Sequence, residues 1–237
     1  MKNNSVKLKI CLTIFIFSFS FFVFGFNSGN AQSAPQFLTS WKADSYIPSW
    51  YGGKILPSAG SVVRVNFELI DNDKIVDLSN VLVRWYFDDD LISNEDEGLG
   101  IKSVKIRALS ATGDDMKIRI VIIDYKGITE LNKIINIPIG EPEVVIDFPR
   151  YNPAIGRSGN IFRALPFFFN LKDLNKLSVK WLANGRNAKE SGKDPWQLDL
   201  NVDDQTPPGF EINLEAAVEN ISNQLDFANK ILKLTVK

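Results

Sequence analysis

Two stretches of this sequence carry side chains that could do more than pack. The first is acidic: Asp88, Asp89 and Asp90, followed by Asn94, Glu95, Asp96, Glu97 and Gly98. Carboxylate and amide oxygens are the ligands of hard cations such as calcium. The spacing does not match a calcium-binding helix-loop-helix, however, and Asp, Asn and Gly together are also ordinary turn chemistry. A solvated hairpin is the expected outcome and no metal site is assigned. The second stretch is aromatic: WKADSYIPSWYGGKILP, Trp41 to Pro57, sets Tyr46, Trp50 and Tyr51 beside Gly52 and Gly53. Rings on a loop give a large contact area at low conformational cost, which suits recognition of a sugar or a peptide. Packing of the same rings against the edge of a core is the competing reading. The string Leu56-Pro57-Ser58-Ala59-Gly60 continues the same loop.

What is missing narrows the chemistry further. The 237 residues include no histidine and one cysteine, Cys11. Imidazole acid/base catalysis, Ser-His-Asp triads, disulfide frameworks and Cys/His zinc sites are therefore excluded. No S-x-x-K occurs, and a glycosidase-type carboxylate pair needs a cleft that small β-sandwiches rarely provide. Neither catalysis nor a cofactor is expected.

The N-terminus reads as an address. Lys2, Lys7 and Lys9 precede an uncharged run from Ile10 to Phe26, and a small polar stretch, NSGNAQSA, follows. That is the layout of a secretory signal peptide over residues 1–33, cut between Ser33 and Ala34 or, in competition, after Ala31. If the segment is not cut, residues 10–26 form an anchor at the short end of the range for a membrane span. Either outcome exports the chain to the periplasm, the cell surface or the medium, with membrane contact only through this segment. Cys11 starts the apolar run, whereas a lipid-modified cysteine would follow it. Residues 1–33 hold three of the 27 basic residues and no acid, so the remainder carries 24 against 28 acids. A net charge of that sign, without a basic stripe, excludes nucleic acid as a partner.

The elements that must position the aromatic and acidic stretches repeat. Val81–Phe87 (VLVRWYF) alternates with Val81, Val83, Trp85 and Phe87 on one face, and Leu177–Ala183 (LSVKWLA) does the same with Leu177, Val179, Trp181 and Ala183. The two tryptophans stand 96 residues apart. Downstream, MKIRIVIID (116–124) matches FEINLEAAV (210–218) at an offset of 94, and LNKIINIPI (131–139) matches ANKILKLTV (228–236) at 97. Three strand patterns in one order at nearly one offset imply an internal duplication. VVRVNFEL (62–69) and LPFFFNL (165–171) precede the tryptophan strands. GIKSVKIRA (100–108) and PWQLDLNV (195–202) follow them, and the phase of Leu198 and Leu200 places Trp196 in the core. In LPFFFNL the alternation points Leu165, Phe167, Phe169 and Leu171 inward, leaving Phe168 outward at the junction between copies.

Short strands at regular spacing with turn signals and no amphipathic helix predict an all-β chain of two antiparallel sandwiches. On Trp85, Trp181 and IRIVIIDYKGITELNKIINI, each copy resembles the bacterial Ig-like or PKD-like β-sandwich. The whole, through SAPQFLTSWKADSYIP and VRWYFDDDLISNEDEGLGIKS, is similar to exported two-domain proteins of Parcubacteria-like candidate-phylum bacteria, a family with no known activity to lend. The chain departs from these patterns in lacking paired cysteines and in reading WYFDDD where PKD-like domains place a glycine. The repeat and the resemblance together imply a sandwich over 34–140 and a second over 141–237, and the short spacing through Ile139–Pro142 into EVVIDF makes the join stiff. The resemblance also implies a structural core around Trp85 and Trp181, to which strand phase adds Trp196. The functional expectation is an exported, non-catalytic interaction or structural module whose partners are other envelope or surface proteins. The alternative is a glycan- or peptide-binding protein acting through Tyr46, Trp50 and Tyr51. Unpaired edge strands also leave an opportunity for assembly by strand addition.

Overall fold

The computed structural model describes residues 34–92, 98–109, 113–148, 153–188 and 194–237. The leader through Ser33 and the acidic residues Asn94–Glu97 lie outside these. The structure is all-β, and the strands form where apolar residues alternate. In β2 (Val62–Asp71) the buried side chains are Val63, Val65, Phe67, Leu69 and Asp71. In β7 (Asp115–Tyr125) they include Met116, Ile118, Ile120 and Ile122, and in β15 (Glu211–Asn220) Ile212, Leu214, Ala216 and Val218. A period of two puts one face of each strand into a core and leaves the other for water.

The first half forms two sheets. One joins β1 (Gln36–Ala43), β2, β3 (Lys74–Ile75) and β6 (Ser103–Arg107), with β2 flanked by β1 on one side and by β3 and β6 on the other. The other runs β5 (Asp90–Leu91), β4 (Val83–Phe87), β7, β8 (Ile128–Pro138). The second half repeats the scheme. β14 (Gln197–Leu200), β11 (Asn160–Phe167) and β9 (Glu143–Asp147) make one sheet. β10 (Ala154–Ile155), β16 (Asn223–Val236), β15, β12 (Leu177–Ala183) and β13 (Arg186–Asn187) make the other. Among the described residues all strand pairings are antiparallel except β10 with β16.

Buried side chains fall into two clusters with no shared residue, one drawn from 43–139 and one from 144–236. Trp85 anchors the first and Trp181 the second, each 1% exposed. Across the first sandwich, Trp85 meets Phe67 edge-on with ring centroids 5.6 Å apart. The Trp85 indole N–H donates to the carbonyl of Ile101 at 2.8 Å, and that of Trp181 to the carbonyl of Pro195 at 3.1 Å. Both carbonyls lie just before the equivalent strands, β6 and β14. Each ring is thus enclosed and its one polar group satisfied, as a buried indole requires.

The hairpin after each tryptophan strand repeats too. Asp88 and Asp89 stand at φ 46° and 71°, Asn184 and Gly185 at 50° and 76°. Two left-handed residues in a two-residue loop match the twist of the flanking strands. Asp88 Oδ1 accepts the Lys117 N–H at 3.4 Å, as Asn184 Oδ1 accepts that of Asn213 at 2.8 Å. Asp89 faces Lys117 and Arg119 at 3.3 and 3.7 Å. The described part of the acidic stretch is therefore a turn with cations beside it.

One strand phase differs from the sequence expectation. β11 begins at Asn160 and turns Asn160, Phe162, Ala164 and Pro166 to one buried face, so Leu165 and Phe167 lie on its other face, where Phe167 is buried too. Phe168 then takes φ 61°, which resets the phase and sends Phe169 into the second core. Phe168 is nonetheless buried, because the first half covers it.

Two buried carboxylates close the sandwich ends with opposite electrostatics. Asp71 accepts Lys126 Nζ at 2.6 Å and Tyr125 Oη at 2.8 Å, tying β2 to the β7–β8 turn. These bonds, the lysine's first, hold its carboxyl below the usual range. Asp226 accepts Asn220 Nδ2 at 2.8 Å and the Asn170 N–H at 3.0 Å, but burial dominates and pushes its carboxyl up. Asp71 therefore stabilises the fold at neutral pH and loses that effect as pH falls below the ordinary carboxylate range. At Asp226 stability is instead lost as pH rises through its raised value. Asp226→Asn keeps an acceptor and removes the ionisation, so its thermal midpoint at pH 7 should exceed that of the parent, with the gap closing toward pH 4. A lower midpoint at pH 7 would contradict this account.

Candidate junction groove

The aromatic stretch connects β1 to β2, and it reaches the second half of the chain. Tyr46 forms a backbone pair there, its N–H donating to the Phe169 carbonyl at 2.8 Å and its carbonyl accepting from the Phe168 N–H at 2.6 Å. Its half-buried ring packs against the second core, and burial raises the phenol's pKa. Tyr51 lies edge-on to Phe167 and Phe168 at centroid distances of 5.5 and 6.0 Å. Lys172 reaches Asp44 at 3.1 Å, and the Gly140 N–H closes the loop from below through the Pro57 carbonyl at 2.8 Å. Gly60, at φ 82°, lies so close to the Asn170 amide that a Cβ would stand 2.9 Å from its Nδ2.

Trp50 is placed differently. Its edge rests on Phe167 at 6.0 Å, yet it remains 65% exposed. Beside it opens a groove of about 330 Å³ between the loop, at Tyr46, Pro48, Ser49 and Trp50, and a wall from the second half. That wall is built by Arg163, Leu165 and Pro166 of β11 with Leu174, Asp194 and Trp196. Trp196 is half-buried, packing on the second core with one part and lining the groove with the other. It lies one residue before β14, where Asp194 Oδ1 accepts its N–H at 3.0 Å in a turn, so strand alternation does not fully govern it.

Of the three candidate binding residues, Tyr51 packs at the junction, Tyr46 both pairs with the second half and lines the groove, and Trp50 stands exposed at its mouth. The alternatives of edge packing and contact surface are thus divided within one loop. Sequence reasoning missed Arg163, Leu174 and Asp194, because only the docking of the loop on β11 brings them near Trp50. The readable signal was the unusual length of the connection between the first two strands. A larger groove, about 430 Å³, runs between Glu141–Val144 and Leu225–Lys230, but its single aromatic ring is Phe227.

No family model matches the chain, and no curated protein matches it in sequence. Solved structures do resemble it, at low identity. Three N-terminal domains of the bacteriophage RB49 highly immunogenic outer capsid protein (Hoc) align over 86% of this chain at 10% identity and TM-score 0.44. The chain covers 59% of the length of that structure. Titin domains Z1Z2, solved in complex with telethonin, align over 87% of this chain and 98% of theirs at 12% identity and TM-score 0.26. A Bacteroides ovatus protein, SGBP-B of the mixed-linkage glucan utilization locus, solved with a mixed-linkage heptasaccharide, aligns over 86% of this chain and 48% of its own at 10% identity and TM-score 0.24.

Proposed function

We propose that this chain is a non-catalytic binding module working outside the cytoplasm, and that the junction groove is its ligand site, with a glycan as the ligand. The leader-like residues 1–33 support export. The observation that carries the reading is the exposed face of Trp50, held by a loop that is itself pinned through Tyr46 and Tyr51. A large apolar ring fixed in place at the mouth of a groove is a preformed contact surface, and preorganisation lowers the cost of binding. Trp50, Trp196 and Tyr46 offer flat faces to the C–H surfaces of sugar rings, while Arg163 donates and Asp194 accepts hydrogen bonds from hydroxyls.

Binding of the purified protein, expressed with its leader, to a panel of bacterial envelope polysaccharides tests this. Retention of at least one glycan is expected. Trp50→Ala should weaken it by about 30-fold, the scale of an aromatic hot spot, with the melting temperature unchanged. Absence of any glycan binding, or binding indifferent to Trp50→Ala, would sink the proposal.

A further inference from the structure

The outer face of the sheet built on β2 holds a row of like charges. β1 pairs with β2 so that Lys42 stands opposite Arg64, and β2 pairs with β6 so that Arg64 stands opposite Lys105. All three residues are exposed. Residues paired in this way have Cβ atoms about 4.5–5.5 Å apart, and like charges directly opposite one another destabilise a sheet. Arg107, two residues on from Lys105 and on the same face, adds a fourth cation, and its Nη1 donates to the Gly60 carbonyl at 2.9 Å. Lys42, Arg64 and Lys105 have no ion-pair partner among the described residues. The nearest carboxylates along these strands are engaged by cations outside the row, Glu68 by Lys102 at 2.7 Å and Asp44 by Lys172 at 3.1 Å. In a chain with more acidic than basic residues, uncompensated cations gathered on one face cost stability and pack nothing.

We infer that this face binds an acidic polysaccharide, its carboxylates meeting the cations of the three strands. The neighbouring row points to a sugar polymer. Ser40, Asn66 and Ser103 stand opposite one another there, so hydroxyl and amide groups that both donate and accept lie beside the charges, as sugar hydroxyls require. Neither row contains an apolar side chain. A protein partner would need an apolar or aromatic centre, and lysine and serine are depleted at such interfaces. Single-stranded nucleic acid would need rings on which to stack its bases, and a membrane surface would need apolar side chains among the cations. The exposed Leu38 and Ile75 of this sheet stand at and beyond Glu68, away from the row. No run of lysine or arginine marks the row in the sequence, because the pairing of three separate strands assembles it. It shares no residue with the junction groove, so the two sites stand or fall independently.

Affinity electrophoresis of the purified protein, expressed with its leader, through gels containing polygalacturonate tests this, with dextran as the neutral polymer. Retardation by polygalacturonate and not by dextran is expected, fading as salt rises because neutralising a polyanion releases its counterions. Arg64→Gln combined with Lys105→Gln should weaken it about tenfold or more. Lys105→Glu should weaken it at least as much, and by setting a carboxylate opposite Arg64 it should raise the melting temperature, so that the lost binding is not lost folding. Trp50→Ala should leave the retardation unchanged. No retardation by polygalacturonate, retardation indifferent to Lys105→Glu, retardation lost with Trp50→Ala, or tighter binding of polyglutamate or of phosphatidylglycerol vesicles than of polygalacturonate would each overturn the inference.

Discussion

Replacing Trp85 with alanine should cost about 3–5 kcal/mol, and replacing Trp181 should cost as much. Each indole is 1% exposed and is the largest fully buried side chain of its cluster. The loss combines transfer of the ring to water with a cavity that the sheets cannot close, because Phe67 and the neighbouring isoleucines are held by their own strands. It also orphans the carbonyl of Ile101 or Pro195. A phenylalanine replacement keeps most of the apolar volume and loses the N–H, so Trp85→Phe should fall between parent and alanine. Since the two clusters share no residue, the double alanine variant should show the sum of the single losses to within about 0.5 kcal/mol. Denaturant titration followed by circular dichroism checks all four variants. A single variant that melts like the parent, or a strongly non-additive pair, would mean that the rings do not hold separate cores.

The parts of this structure that the sequence made legible are those governed by local periodicity. VLVRWYF, LSVKWLA, MKIRIVIID and FEINLEAAV are strands because a two-residue apolar alternation can bury one face only in a pleated chain. Their equal spacing made the second core as readable as the first. The site was legible only in composition. Tyr46, Trp50 and Tyr51 declare an aromatic loop, but whether a ring packs or projects depends on what faces it, and Phe167–Phe168 lies more than a hundred residues downstream. The misread phase of LPFFFNL has the same origin. Alternation places Phe167 and Phe169 together, and only a left-handed residue between them, adopted to meet the loop, can place one at the junction and the other in the core. No pattern in FFF marks that residue, since a bulky side chain at positive φ is an outlier held by its surroundings.

That outlier makes the second large prediction. At φ 61° an L-residue with a Cβ is strained by about 1–2 kcal/mol, and Phe168 tolerates this because its ring is buried against Tyr51 and Phe167 while its N–H bonds to Tyr46. Phe168→Ala removes the ring and keeps the strain, so it should destabilise by about 3 kcal/mol, at the low end for a buried phenylalanine because the junction is only partly enclosed. Phe168→Gly removes the ring and the strain together. It should therefore be more stable than Phe168→Ala by about 1 kcal/mol, although glycine in an ordinary strand is the worse choice by a similar amount. In both variants Tyr51 loses a neighbour and the loop holding Trp50 loosens, so any glycan affinity of the proposed groove should fall even though neither substitution touches the groove. Equilibrium unfolding orders the variants, and the order decides. An alanine variant more stable than the glycine variant would show that the chain at Phe168 is not left-handed, and the junction would then need another explanation.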